Sequence, residues 1–253
     1  MPERRMTDRT LFGPAHLAWL LGIAIAAAWV PSLCRRNVIP HRVLRAVLAC
    51  LLVGCELQRY IHDGITWPHG LPLQPCSLTA WVAVAACITL APLAVEYVYF
   101  LGVAGAAMAV ITPDMGAQWP PRFFLTHGAL IVTACVLVFG NLGPWRRWAV
   151  WRAWALFLAN ATGIGIFDLV FTTNYWYLRQ KPAVASVFDW MGPWPIYPGT
   201  IALFGLGLFW LLWLPWRSHA RRYSPLSAPQ PAISPNPSPG SWIYSPRRTS
   251  RGF

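Results

Sequence analysis

Cys76 is the residue best placed for chemistry, because it follows the short turn Leu71-Pro72-Leu73-Gln74-Pro75 and opens an apolar segment beginning at Ser77. A thiol at the start of a helix sits at the positive end of the helix dipole, which favours the thiolate, the nucleophilic form of cysteine. Cys50, Cys55, Cys87 and Cys135 lie inside apolar runs, where free cysteine acts as a small hydrophobe, and Cys34 sits at a basic turn. The partner a thiol needs is a base. His127, in Phe124-Leu125-Thr126-His127-Gly128, is an imidazole one turn into another apolar segment. A Cys–His pair within hydrogen-bond reach is the minimal unit for nucleophilic acyl transfer, whereas a lone histidine among apolar residues is a hydrogen-bonded structural group. Metal chemistry has no such support: Cys-x-x-Cys and His-x-x-x-His spacings are missing and Asp plus Glu number 8. Neither a metal nor another cofactor is expected.

Other polar residues interrupt the apolar segments, each costly in hydrocarbon unless it meets a partner or a cavity. Glu56 and Arg59, three apart, can form an ion pair on one helix face, and Glu56 with Tyr60, four apart, can equally frame a polar pocket. Asn160 and Asn174 are two heptads apart and so share a stripe, with Asp168 between them around the helix. Asp168 has no basic neighbour in sequence, so it meets Arg or His from another segment or is protonated and donates a hydrogen bond. Gly163 and Gly165 beside Ala161 predict close helix approach. Arg179 and Lys181 read either as a phosphate site or as ordinary head-group anchors.

These residues must be positioned by membrane helices. The chain is 56% hydrophobic and 11% charged, with a mean hydropathy of +0.44, and several nearly uncharged stretches reach the ~20 residues that cross ~30 Å of hydrocarbon. The pattern predicts an all-α, polytopic membrane protein with seven spans: 14–33, 41–61, 77–94, 96–112, 123–142, 149–172 and 198–216. The first run is long for a signal peptide and lacks a small-residue cleavage site. Trp145, Trp148, Trp151 and Trp154 recur every three residues as an interfacial aromatic belt. Residues 217–253 hold seven prolines, eight serines and six arginines and read as a disordered tail separate from the 1–216 helical domain. The net charge of +12 is spread over span-flanking turns and this tail, which speaks against a nucleic-acid partner.

Asn174 to Pro182 and Asp189 to Tyr197 resemble the signature of the YwaF-type bacterial integral membrane family, which includes the animal transmembrane protein 164, an ether-phospholipid acyltransferase. Phe12 to Leu17, Leu71 to Ser77, and Tyr99 to Gly102 through Thr112-Pro113-Asp114 to His127-Gly128 fit as well. The resemblance spans about residues 11–215. It implies membrane phospholipids as partners and acyl transfer through a thioester, with Cys76 and His127 at the positions of the animal enzyme's cysteine and histidine. The family form commonly reads Leu-Pro-Leu-His-Leu-Cys; here Gln74 and Pro75 precede the thiol, and the Gln74 amide keeps a hydrogen-bond donor. Asn160, Asp168 and Asn174 would then shape a polar cavity open to the outer face, and Arg179 with Lys181 would hold the lipid phosphate. A transporter or a lipid or small-molecule binding protein would use the same cavity without the thiol. An assembly factor would need neither.

Along seven spans, 13 of the 20 Lys and Arg fall on the side of the C-terminus, among them Arg35, Arg146 and Arg221, against 7 opposite. Nineteen arginines to one lysine suggest a GC-rich bacterial genome, hence a bacterial inner membrane with the C-terminus cytoplasmic. Reporter fusions after Arg147 and at the C-terminus are both expected to read cytoplasm; a periplasmic C-terminal reporter would reverse the orientation or change the span count.

Overall fold

The computed structural model describes residues 11–113, 121–143, 146–182 and 187–223. Asp114, Trp145 and the tail beyond Tyr223 lie outside the described residues. Seven helices follow in order: α1 Pro14–Arg35, α2 His41–Asp63, α3 Pro75–Thr89, α4 Pro92–Ile111, α5 Pro121–Phe139, α6 Ala149–Phe171 and α7 Ile196–Tyr223. Among the described residues there is no strand. Helices α1, α4, α5, α6 and α7 are long and apolar enough to cross a membrane. Helix α2 carries Arg42, Arg45, Glu56, Arg59 and Asp63, and α3 has only 15 residues, about 22 Å at 1.5 Å per residue.

Proline sets several helix starts. Pro14, Pro75, Pro92 and Pro121 each begin a helix, where the missing N–H costs nothing. The expected spans 77–94 and 96–112 are corrected here: Leu90 turns left-handed (φ 54) and ends α3, and Pro92 starts α4, so Glu96 lies inside a helix and not in a turn. Helix α7 likewise continues to Tyr223, past the expected end at 216. Within α4, Val98–Gly102 form a π-helical turn whose five residues are all buried. That wider turn points the neighbours Tyr99 and Phe100 into the bundle, where they meet Trp216 at ring distances of 5.0 and 5.4 Å.

Helix α5 is the centre of the bundle and packs on α1, α2, α3, α4 and α7. Close approach is made by glycines other than those expected. A Cβ on Gly128 would stand 2.9 Å from Ile23 of α1, and one on Gly102 would stand 3.1 Å from Thr79 of α3. Gly163 has nothing within 4 Å, and a Cβ on Gly165 would meet only Leu178, at 3.7 Å. Packing against a second helix is therefore not their role.

One end of the bundle gathers Cys76, His127 and the end of α6, with Arg59, Arg122 and Arg179; the opposite end gathers most of the other described arginines. There Glu96 is fully buried and takes four hydrogen bonds, from Arg146 at 2.9 and 2.8 Å and from Arg152 at 2.8 and 2.7 Å. The two bidentate pairs tie α4 to the segment before α6 and to α6 itself. Arg45 adds a bond to the Cys87 carbonyl across α2 and α3 at 2.8 Å. Replacing Glu96 by Gln is expected to cost about 3 kcal/mol, the low end for breaking a buried pair because both arginines keep roughly a third of their surface exposed. Thermal unfolding in detergent measures it; an unchanged Tm would remove the clamp from the account of stability.

Candidate functional site

Cys76 is the second residue of α3 and is half-buried. Gln74 holds the N-cap position with its side chain exposed and unbonded to the helix, and Pro75 has no N–H to offer. The N–H groups of Cys76 and Ser77 consequently open the helix with no capping partner among the described residues. Glu56, buried on α2, is near enough for its charge to act on the thiol. It pairs with Arg59 at 3.4 Å, and Arg59 lies over the Tyr60 ring at 4.4 Å, so the expected ion pair forms. Tyr60 accepts a hydrogen bond from Trp81 Nε1 at 2.9 Å, joining α2 to α3.

His127 is buried on α5, with Nδ1 2.7 Å from the Phe123 carbonyl. A carbonyl only accepts, so Nδ1 carries the proton and Nε2 is left as the ring's acceptor. No hydrogen bond joins His127 to Cys76 among the described residues. His16 differs: it is fully buried, and its Nε2 donates to the Val110 carbonyl at 2.7 Å while Nδ1 accepts from the Phe12 N–H at 3.0 Å. It latches the start of α1 to the end of α4. His62 is exposed beside Asp63, which in turn meets Arg122 at 3.1 Å and closes α2 on α5.

The expected stripe of Asn160 and Asn174 does not exist, because Thr172 turns left-handed (φ 58) and α6 ends at Phe171. Asn160 bonds its own helix, at the Leu156 carbonyl. Asn174 folds the segment after α6: its Oδ1 accepts from the N–H groups of Arg179 and Gln180, and its Nδ2 donates to the Gln180 carbonyl. Asp168 is fully buried and holds the same segment, its Oδ1 accepting from Thr173 Oγ1 at 2.6 Å and from the Tyr175 N–H at 2.9 Å. These bonds sustain left-handed backbone at Thr172, Trp176 and Tyr177, unusual for bulky residues.

What the strained segment achieves is contact with the turn before Cys76. Tyr175 donates to the Pro68 carbonyl at 2.8 Å and accepts from the Leu71 N–H at 2.9 Å, and Trp176 Nε1 donates to the Leu73 carbonyl at 2.8 Å. Burial pushes the Tyr175 phenol above its ordinary value, so it stays a donor. Tyr175 and Trp176 lie in the segment Asn174 to Pro182 that carries the family resemblance, but sequence reasoning assigned them no contact with the turn before Cys76; an aromatic run directly after a membrane span was the available signal.

Arg179 reaches the Thr173 carbonyl at 3.3 Å and borders a groove of about 310 Å³ between α6 and α7. Phe157, Ala161, Thr162, Gly165, Leu178 and Trp194 also line it, so the groove is mostly apolar, with Arg179 and Thr162 its polar side chains, and neither Cys76 nor His127 borders it. Lys181 sits over the Tyr197 ring at 5.6 Å with Nζ 3.4 Å from the Asp189 carbonyl. Among the described residues no cluster of three His, Cys, Asp or Glu side chains could hold a metal ion.

Asp168→Ala is expected to cost about 3 kcal/mol, since it strands the Thr173 hydroxyl and the Tyr175 N–H, and to change the alkylation rate of Cys76 through the displaced 68–73 turn. Asp168→Asn, which keeps an acceptor oxygen, is expected to retain most of both. Thermal unfolding with thiol labelling measures the pair; equal Cys76 reactivity in Asp168→Ala would separate the two loops.

Neither the curated proteins nor the solved structures contain a match to this chain. A family model does match, over residues 11–213, which takes in all seven helices up to the last turns of α7 and both loops that meet beside Cys76. The chain is a multi-pass membrane protein that belongs to the TMEM164 family.

Proposed function

We propose that this protein is a membrane-embedded acyltransferase that moves acyl chains between phospholipids through a thioester on Cys76. The observation that carries the reading is the open amino end of α3: the uncapped N–H groups of Cys76 and Ser77 flank the thiol where an oxyanion on an attacked ester carbonyl would need donors. Cys76 Sγ attacks the ester carbon, and the thiol proton travels by His127 Nε2 to the departing lysolipid oxygen. A second lysolipid hydroxyl then takes the acyl group from sulfur. Arg179 and Lys181 hold the lipid phosphate, with Gln74, Asn160, Asp168 and Asn174 around the polar approach. The resemblance to transmembrane protein 164 supports the same reaction. The excess of arginine at the end opposite Cys76 supports a bacterial inner-membrane protein with its C-terminus in the cytoplasm.

A second reading, lipid or small-molecule binding or transport without chemistry, draws on the apolar groove beneath Arg179, which leaves the thiol out. Substitution separates the two. Cys76→Ser keeps the size but replaces a thiol by a hydroxyl of far higher pKa, and His127→Gln keeps a polar group without proton transfer. Acyl-chain exchange in proteoliposomes, followed by lipid mass spectrometry, is expected to fall about 10²- to 10⁴-fold in each variant, with the double variant little worse than either. Undiminished exchange in Cys76→Ser would leave the binding reading in its place.

A further inference from the structure

Two glutamates are buried in the helices, and they are bonded differently. Glu96 has both oxygens filled by four bonds of 2.7 to 2.9 Å from two arginines. Glu56, 3% exposed, offers only Oε2, to Arg59 Nε and Nη2, each at 3.4 Å. Its Oε1 has no hydrogen-bond partner among the described residues but is not sealed from solvent, unlike the buried, unpartnered Asp168 Oδ2. Glu56 therefore keeps one carboxylate oxygen open to a water, where Glu96 keeps none.

The register of α2 and α3 says where that carboxylate lies. The two helices run antiparallel, and Arg45 bonded to the Cys87 carbonyl at 2.8 Å fixes one level. Eleven residues along each helix, from 45 to 56 and from 87 to 76, are close to three full turns of ~3.6 residues. The same pair of faces therefore meets again with Glu56 opposite Cys76. The charge of Glu56 acts on the Cys76 thiol, as that of Arg45 does on Cys87. A second register leads to His127: Asp63 and Arg122 join α2 and α5, and five residues inward on each brings His127 about level with Gln58, within a turn of Glu56.

We propose that Glu56, held by Arg59, is the group that takes the proton from Cys76. The proposal rests on the thioester reading and supplies the first step of its proton path. As the sulfur–carbon bond forms, the S–H proton passes to Glu56 Oε1 across a water, since no direct hydrogen bond joins the two groups. The ester C–O bond breaks, and the same proton moves through His127 Nε2 to the departing lysolipid oxygen, leaving Glu56 ionised and His127 neutral. The return half runs in reverse: the acceptor hydroxyl gives up its proton along this path, its oxygen bonds to the acyl carbon, and the sulfur leaves and is reprotonated. No external oxidant, reductant or further reactant enters.

The test uses the full chain in phospholipid vesicles and reads the acyl adduct on Cys76 by intact mass. Glu56→Gln is expected to slow adduct formation about 10²- to 10⁴-fold, with Glu56→Asp recovering part of the rate. Because Glu56→Gln leaves Arg59 uncompensated, Glu56→Gln with Arg59→Gln is measured beside it and is expected to stay slow. Geometry is checked without turnover: Glu56→Cys, with Cys76 as the one remaining native cysteine, is expected to form a disulfide on oxidation. Wild-type adduct with an unimpaired Glu56→Gln would overturn the role of Glu56 alone. Recovery of the wild-type rate in the double variant, or failure of the disulfide, would do the same. If the wild-type protein forms no adduct while the disulfide forms, the thioester reading itself falls and takes this role with it.

Discussion

An ionised carboxylate inside a helical bundle is stabilised by having its lone pairs filled, because burial removes the water that stabilised it. Glu96 meets that condition completely, and much of the architecture follows. Its two arginines come from the segment before α6 and from the first turn of α6, so the carboxylate fixes how α6 leaves the bundle centre and lies against α4. The π-helical turn begins two residues after Glu96 and turns Tyr99 toward α7, where its hydroxyl donates to the Leu212 carbonyl. One short stretch of α4 thus places both outer helices.

The end that carries Cys76 meets this condition only in part, since Asp168 Oδ2 is buried without a hydrogen-bond partner among the described residues. Asp168 spends its Oδ1 on backbone and hydroxyl donors of the segment that follows α6, and that segment spends its aromatic donors on the carbonyls of the turn before α3. Left-handed backbone at Thr172, Trp176 and Tyr177 is the strain this bonding holds in place. The thiol's surroundings are rigid because two loops far apart in sequence satisfy each other's polar groups. Short α3 contributes as well: with 15 residues it does not cover the reach of its neighbours, so its amino end is recessed beside α2 and α5.

Hydrogen-bond accounting also divides the histidines. His16 has both nitrogens engaged and serves to join α1 to α4, whereas His127 uses one nitrogen on its own helix and keeps the other as an acceptor. Residue type and apolar surroundings are alike for the two. The partner list is what assigns one to the fold and leaves the other available for proton transfer.

The sequence by itself determined the class and the number of helices, because the need to bury about 20 apolar residues per span is written locally in each segment. It also determined where most helices begin, since proline at a first position acts within its own turn, and it placed Cys76 at the start of α3 and paired Glu56 with Arg59 three residues on. Only the tertiary structure decided what depends on residues remote in the chain. Glu96 stood at the edge of an expected span, and only the fold places it inside a helix where Arg146 and Arg152 close on it, while Asn174 looked like the continuation of a helical stripe until Thr172 broke the helix. Likewise, no spacing within α2 reveals that Glu56 leaves one oxygen unbonded and faces a thiol on the next helix. Helical periodicity reports which residues share a face, but the register between two faces is set by side-chain contacts across the bundle, and those are not local properties of either segment.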